Sequence, residues 1–160
     1  MARLIIGSGI DTYIADLNRL LADEEEICKR SIYEGAKIVA DKVRSEIDGL
    51  PVREYDKSTR MVNGITASQK AGLQAGLGIA TMRRDGSFLN AKIGMDGYNS
   101  TRTEKFPNGQ PNALIARSLE SGTSFRSRNA FITRATNASR SAAEQAMKTQ
   151  MDKEIQQRIH

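Results

Sequence analysis

The sequence predicts an α+β fold, with long N-terminal and C-terminal helices packed on a small antiparallel β-sheet and long polar loops between them. Three observations predict it. Ile32, Ala36, Val39, Val43 and Ile47 recur at three- and four-residue spacing, the pattern of a helix that buries one stripe. Asp85-Gly86, a turn dipeptide, separates two short apolar arms in the manner of a β-hairpin. Ala143, Met147, Met151, Ile155 and Ile159 recur at every fourth residue, which marks a second long helix. A two-stranded hairpin is marginal in water, so the helix over 24–48 is expected to cover it.

Composition sets the scale. The chain has 160 residues, enough for a single domain over 1–160 with a real core. Hydrophobic residues make up 39% and aromatics only 5%, with no Trp, so the core is expected to be built from Ile, Leu, Val, Ala and Met. Ala-lined helices bury little area each, which predicts modest stability alone and a gain from assembly. The net charge of +5 suits a polyanion or an acidic partner, and equally an ordinary soluble protein rich in Lys and Arg. Cys28 is the only cysteine, so no intrachain disulfide forms, in keeping with a reducing cytoplasm or a fold that needs no staples. No apolar run approaches the ~18 residues of a membrane span. The first thirteen residues lack the apolar length of a signal peptide.

Taken in order, Leu4-Ile5-Ile6 reads as a short edge strand or an arm, closed by Gly7-Ser8-Gly9. No Lys-Ser/Thr or GxGxxG pattern follows, which counts against a phosphate loop. Asp11 is expected to cap a first helix, with Ile10, Tyr13, Ile14, Leu17, Leu20 and Leu21 on one face. Asp23 is expected to cap a second, whose acidic first turn, Glu24-Glu25-Glu26, suits the helix dipole. Three consecutive residues point in three directions on a helix, so the triplet is a poor metal cage. Gly49 and Pro51 stop the helix. Residues 51–66 are polar and are expected to be mobile. Residues 67–73 suit one or two helical turns, and 76–95 form the hairpin.

Residues 96–110 are long, polar and rich in turn formers, and a mobile loop is expected there too. Within it, Tyr98 and Phe106 beside Arg102 and Lys105 suit base stacking, or else anchor a flexible loop. Pro111 is expected at the first helical position of a short helix over 112–119, with Leu114, Ile115 and Leu119 on its apolar face. Ser121-Gly122-Thr123-Ser124 breaks that helix, with Gly122 suited to positive φ. Asn129 is expected to cap the longest helix, where Phe131, Ala135, Ala138 and Ala142 form one stripe.

No catalytic constellation is legible. HExxH, CxxC, GxSxG and Walker patterns are missing, the only histidine is His160, and Cys28 has no histidine partner in a recognisable motif. The expectation is therefore a protein that is not an enzyme, with no catalytic, cofactor-binding or metal-ligating residues. A basic run is more informative. Arg117, Arg126, Arg128, Arg134 and Arg140 share their interval with one acid, Glu120. Arginine pairs bidentately with carboxylates and phosphates, so the run suits DNA, an acidic partner or a solvated face. The sequence leaves these readings open.

Residues 112–135 carry a resemblance. An apolar segment ending at Leu119 leads to Glu120-Ser121-Gly122-Thr123, then to a basic loop with Arg126 and Arg128, then to Ala130-Phe131 and Ala135 at the start of the last helix. This order resembles the small neck and tail-completion proteins of long-tailed, lambda-like bacteriophages. Ala130 stands where that family usually has proline, and Ser121 where an aromatic is common. The resemblance implies an α+β subunit of a homo-oligomeric ring in the virion, made in the host cytoplasm and placed at the head–tail junction. Its neighbours would be the head-closure or connector protein and the tail tube or tail terminator protein, with genomic DNA passing through its lumen. It assigns Glu120, Gly122, Thr123 and Phe131 to an assembly motif, and Arg117, Arg126, Arg128 and Arg134 to contacts with DNA or a partner. A tail terminator ring is the nearest alternative. A free-standing basic nucleic-acid-binding module is another, though helix-turn-helix, RRM and zinc patterns are missing. An enzyme without a recognisable motif is a weaker third.

Overall fold

Two long antiparallel helices form the spine of the molecule. In the computed structural model, which describes residues 9–52 and 62–159 with side chains from residue 12, these are α1 (Gly9–Asp48) and α4 (Phe131–Ile159). Their contacts run in opposite order along the two helices. Arg134 meets Glu46 at 3.0 Å, Arg30 meets Glu154 at 3.3 Å, and Arg158 meets Asp23 at 2.9 Å. Small residues let the two backbones approach: Ala36, Ala40, Ser31, Ala135, Ser139 and Ala143 are all buried. Ser31 and Ser139 each donate to a carbonyl one turn back, of Ile27 and Ala135, at 2.8 Å, so neither hydroxyl is left unsatisfied. Gly35 leaves no room for a side chain, since a Cβ there would lie 2.5 Å from Met147 Cγ.

α1 corrects the expected pair of N-terminal helices. No Gly or Pro interrupts residues 10–34, and the apolar stripe runs on through Leu20 and Ile27, so the helix continues. Asp11 and Asp23 lie inside it, and Asp23 binds Arg158 instead of capping. The acidic triplet is mid-helix, where Glu25 pairs with Lys29 at 2.8 Å, one turn away. The Leu4-Ile5-Ile6 strand or arm, most of the 51–66 loop and His160 lie outside the described residues. Among those residues no helix is long and apolar enough to cross a membrane.

α2 (Ala67–Gly76) opens with a reciprocal cap. Gln69 N–H donates to Thr66 Oγ1, and Thr66 N–H to Gln69 Oε1, both at 3.2 Å. The hairpin follows in two steps. At its base β1 (Leu77–Ile79) pairs antiparallel with β4 (Ile93–Met95), and at its tip β2 (Arg83–Asp85) pairs with β3 (Phe88–Asn90). The tip loop is Gly86-Ser87, one residue past the expected dipeptide, with Gly86 at φ 59°. α1 covers the base as expected, where Leu77 joins Val43 and Ile47 in the core, but leaves the tip largely open, with all three β2 residues and Phe88 exposed. Arg84 binds Glu25 at 3.2 Å, and a shallow pocket there is lined by Cys28, Ile32, Phe88 and Leu89.

The loop over 96–110 is closed at its neck. Asn99 donates to the Gln110 carbonyl through N–H and Nδ2, each at 2.9 Å, and Asn112 Nδ2 donates to the Asp96 carbonyl at 2.7 Å. Pro111 is extended (φ −61°, ψ 130°) and precedes α3 (Asn112–Ser121), one position before the expected N1. One contiguous core joins Val43, Ile47 and Leu50 of the α1 end to Ile65, Leu73, Leu77, Ile115, Leu119 and Phe131.

Candidate functional site

The residues that carry the family resemblance meet at the corner between α3 and α4. Gly122 ends α3 at φ 73°, ψ 170°, a conformation essentially confined to glycine. The chain then turns tightly. Thr123 N–H donates to the Arg126 carbonyl at 2.9 Å, and Arg126 N–H returns to Thr123 Oγ1 at 3.0 Å. Val62 clamps the turn from outside, donating to the Phe125 carbonyl at 2.6 Å and accepting from Ser127 N–H at 3.2 Å. Asn129 N–H donates to the Leu119 carbonyl at 2.7 Å, which closes the corner. Phe131, fully buried, then drops into the core.

Glu120 has a role that the sequence did not reveal. Its carboxylate crosses from α3 and accepts the N–H groups of Ile132 at 2.9 Å and Thr133 at 3.2 Å, together with the Thr133 hydroxyl. It therefore caps the N-terminus of α4 with a charge of the favourable sign. Asn129, expected in that role, spends its Oδ1 on Arg134 Nη2 at 2.8 Å. Arg128 Nε binds the Glu120 carbonyl at 3.0 Å, satisfying the C-terminal end of α3. Glu120, Gly122, Thr123 and Phe131 thus each set part of one corner.

The arginines are not one basic face. Arg126 is buried, and its Nη1 donates to the Gly64 carbonyl at 2.5 Å. Its Nε has no partner among the described residues, and burial pushes the guanidinium below its ordinary pKa. This corrects its expected place among the DNA or partner contacts: in the folded chain the side chain faces inward because the Val62 bridge pins residue 126 to the body. Arg134 ties α4 to Glu46 of α1. Arg117, Arg128 and Arg140 are exposed, and none forms an ion pair among the described residues. In the 96–110 loop, Tyr98 is exposed, while Lys105 lies 5.7 Å from the ring of its neighbour Phe106.

Beside the corner lies a cleft of about 500 Å³ that sequence reasoning missed. Its apolar walls include Val39 of α1, Ile93 and Met95 of β4, Ala116 of α3 and Ile132 of α4, with Arg117 at the rim. Four distant segments build it, so no local pattern signals it. Among the described residues, no group of three or more His, Cys, Asp or Glu could hold a metal ion. No protein-family model matches this chain, and no curated protein or solved structure matches it either.

Proposed function

We propose that the protein is a structural subunit of a phage or prophage head–tail junction, a neck or tail-completion ring that joins the DNA-filled head to the tail. The observation that carries this reading is the corner. Glu120 caps α4, Gly122 turns the chain, Thr123 closes the turn and Phe131 anchors it. The residues that bear the resemblance are those that build the subunit, so the likeness concerns architecture. The action proposed is geometric and not catalytic: identical copies close by cyclic symmetry around passing DNA. Its partners would be the head-closure protein and the tail tube, and its place the virion after synthesis in the host cytoplasm. Exposed Arg117, Arg128 and Arg140 are compatible with contacts to phosphate or to an acidic neighbour. A tail terminator ring fits the same observations. The reading as a basic nucleic-acid-binding module is weakened, because Arg126 is buried and Arg134 is paired with Glu46.

Deleting the gene from the phage or prophage that carries it tests the proposal. Electron microscopy of the lysate should show full heads and separate tails, without infectious particles. Joined virions, or a block in capsid formation or genome replication, would overturn it.

A further inference from the structure

α1 outruns its partner. Its last ion pair to α4 is Asp23 with Arg158, and residues 12–22 lie beyond it. That end carries Tyr13, Ile14, Leu17 and Leu21 at 64%, 49%, 40% and 67% exposure. At the helical period the four fall within an arc of about 100°, so they form one apolar stripe, whose Leu17 and Leu21 border a groove shared with Met151 and Ile155 of α4. Over residues 12–24 there are three acids, Asp16, Asp23 and Glu24, against one base, Arg19. Asp16 pairs with Arg19 at 3.5 Å and Asp23 with Arg158, so Glu24 is the acid of this end without an ion pair among the described residues.

The cleft beside the α3–α4 corner has the complementary character. Its floor is apolar, Arg117 lines it, its one lining acid, Glu120, is spent on the start of α4, and Arg140 lies one turn past the lining residue Thr136. A volume of about 500 Å³ admits apolar side chains from a helix laid across the mouth, not a whole helix. The stripe cannot reach the cleft of its own chain. Val39, a cleft wall, is on the same continuous helix as Leu17, and 22 residues at 1.5 Å rise separate them by about 33 Å.

We propose that the projecting end of α1 in one copy docks across the α1–hairpin–α3–α4 cleft of a second copy. Ile14, Leu17 and Leu21 fill the apolar floor, and the net negative charge of that end, with Glu24 its acid outside ion pairs among the described residues, faces Arg117 and Arg140. The contact is heterologous, with different surfaces on the two copies. It therefore repeats from copy to copy and closes into a ring, or runs on as a filament, according to its rotation. It deepens the ring reading above and rests on that reading only for its purpose. Self-association in solution and head–tail joining are measured separately, so one can fail without the other.

Two sets of variants test the contact. An end variant carries Leu17→Glu with Leu21→Glu, and a cleft variant carries Ala113→Glu with Arg117→Glu. All four positions are exposed, and circular dichroism checks that each variant folds. The mass of the wild-type protein, followed by sedimentation, should rise with concentration, while each variant stays monomeric. Mixed, the two should form a one-to-one dimer and nothing larger, because only one of the two possible contacts is intact. A wild-type chain that stays monomeric overturns the proposal and leaves the stripe and cleft to a different partner. So does a cleft variant that associates like wild type, as it would if two α1 ends simply paired, and so does a mixture that stays monomeric. A second measurement avoids the added charges. In a Cys28→Ser background, Leu17→Cys with Ala113→Cys should give a ladder of disulfide-linked multimers on oxidation. Either cysteine alone should give no species above a dimer. Failure of the double variant to form the ladder also overturns the proposal.

Discussion

Replacing Glu120 with alanine should lower stability without touching the core. The carboxylate holds the N–H of Ile132 at 2.9 Å, the N–H of Thr133 at 3.2 Å and the Thr133 hydroxyl. Loss of an N-terminal cap costs about 0.5–2 kcal/mol. Loss of a negative charge at that helix end adds about 0.3–1 kcal/mol. The Thr133 bond is exposed, so water replaces part of what is lost, and the sum stays at about 1–3 kcal/mol. For a chain of this size each kcal/mol shifts Tm by about 2–4 °C, so Glu120→Ala should melt about 2–12 °C below wild type in far-UV circular dichroism. Glu120→Gln keeps an acceptor and should fall by less. The cycle is completed with Thr133→Val, whose effect should shrink in the Glu120→Ala background because the two residues share a bond. A Glu120→Ala protein with the wild-type Tm would refute the cap, as would Gln falling as far as Ala.

Other outcomes follow from the same geometry. Arg126→Glu should cost about 3–5 kcal/mol in urea unfolding, because it buries a carboxylate against the Gly64 carbonyl, whereas Arg128→Glu at the surface should cost about 1 kcal/mol or less. Gly122→Ala should cost about 1–3 kcal/mol, and Gly122→Asn should do no better, because ψ 170° is not the left-handed helical conformation that asparagine tolerates. The Glu154 carboxyl is held below its ordinary 4.5 by the hydrogen bond from Arg158 and then by Arg30. The unfolded chain therefore binds more protons, and this contribution is present above pH 4.5 and lost as pH falls through the lower folded value. Urea midpoints measured on acidification should show that loss, and Glu154→Gln should make it smaller.

Local patterns reached far into this fold and stopped at identifiable places. The hairpin, α2, α3 and the positive φ of Gly122 could be read because each depends on residues a few positions apart. The continuity of α1 could not, because Asp23 followed by three glutamates has the composition of a helix start. Only the pairing of Asp23 with Arg158 and of Glu25 with Lys29 shows that these side chains are spent elsewhere. Asn129 looked like a cap for the same local reason, and lost that place to a carboxylate on another helix. Arg126 looked like surface charge because most arginines are. Its burial depends on Val62 and Gly64, more than sixty residues earlier in the chain. The cleft needed four segments in place at once.

The two proposals compete for the same charges, and the competition yields the last prediction. Of the five arginines between residues 117 and 140, Arg126 is buried and Arg134 is tied to Glu46. If the end of α1 seats in a neighbour's cleft, Arg117 and Arg140 are turned towards its acids. Arg128 is then the member of the run left to meet a phosphate backbone. Each phosphate contact contributes about 0.9 to the dependence of log affinity on log salt. Arg117→Gln should therefore weaken self-association and leave the salt slope of the assembled protein on duplex DNA unchanged. Arg128→Gln should leave self-association intact and reduce that slope by about one per copy that touches DNA. The opposite pattern would place Arg117 on the DNA and remove it from the contact between copies. With the cleft then lacking its charged rim, the acids at the α1 end would have nothing there to select them.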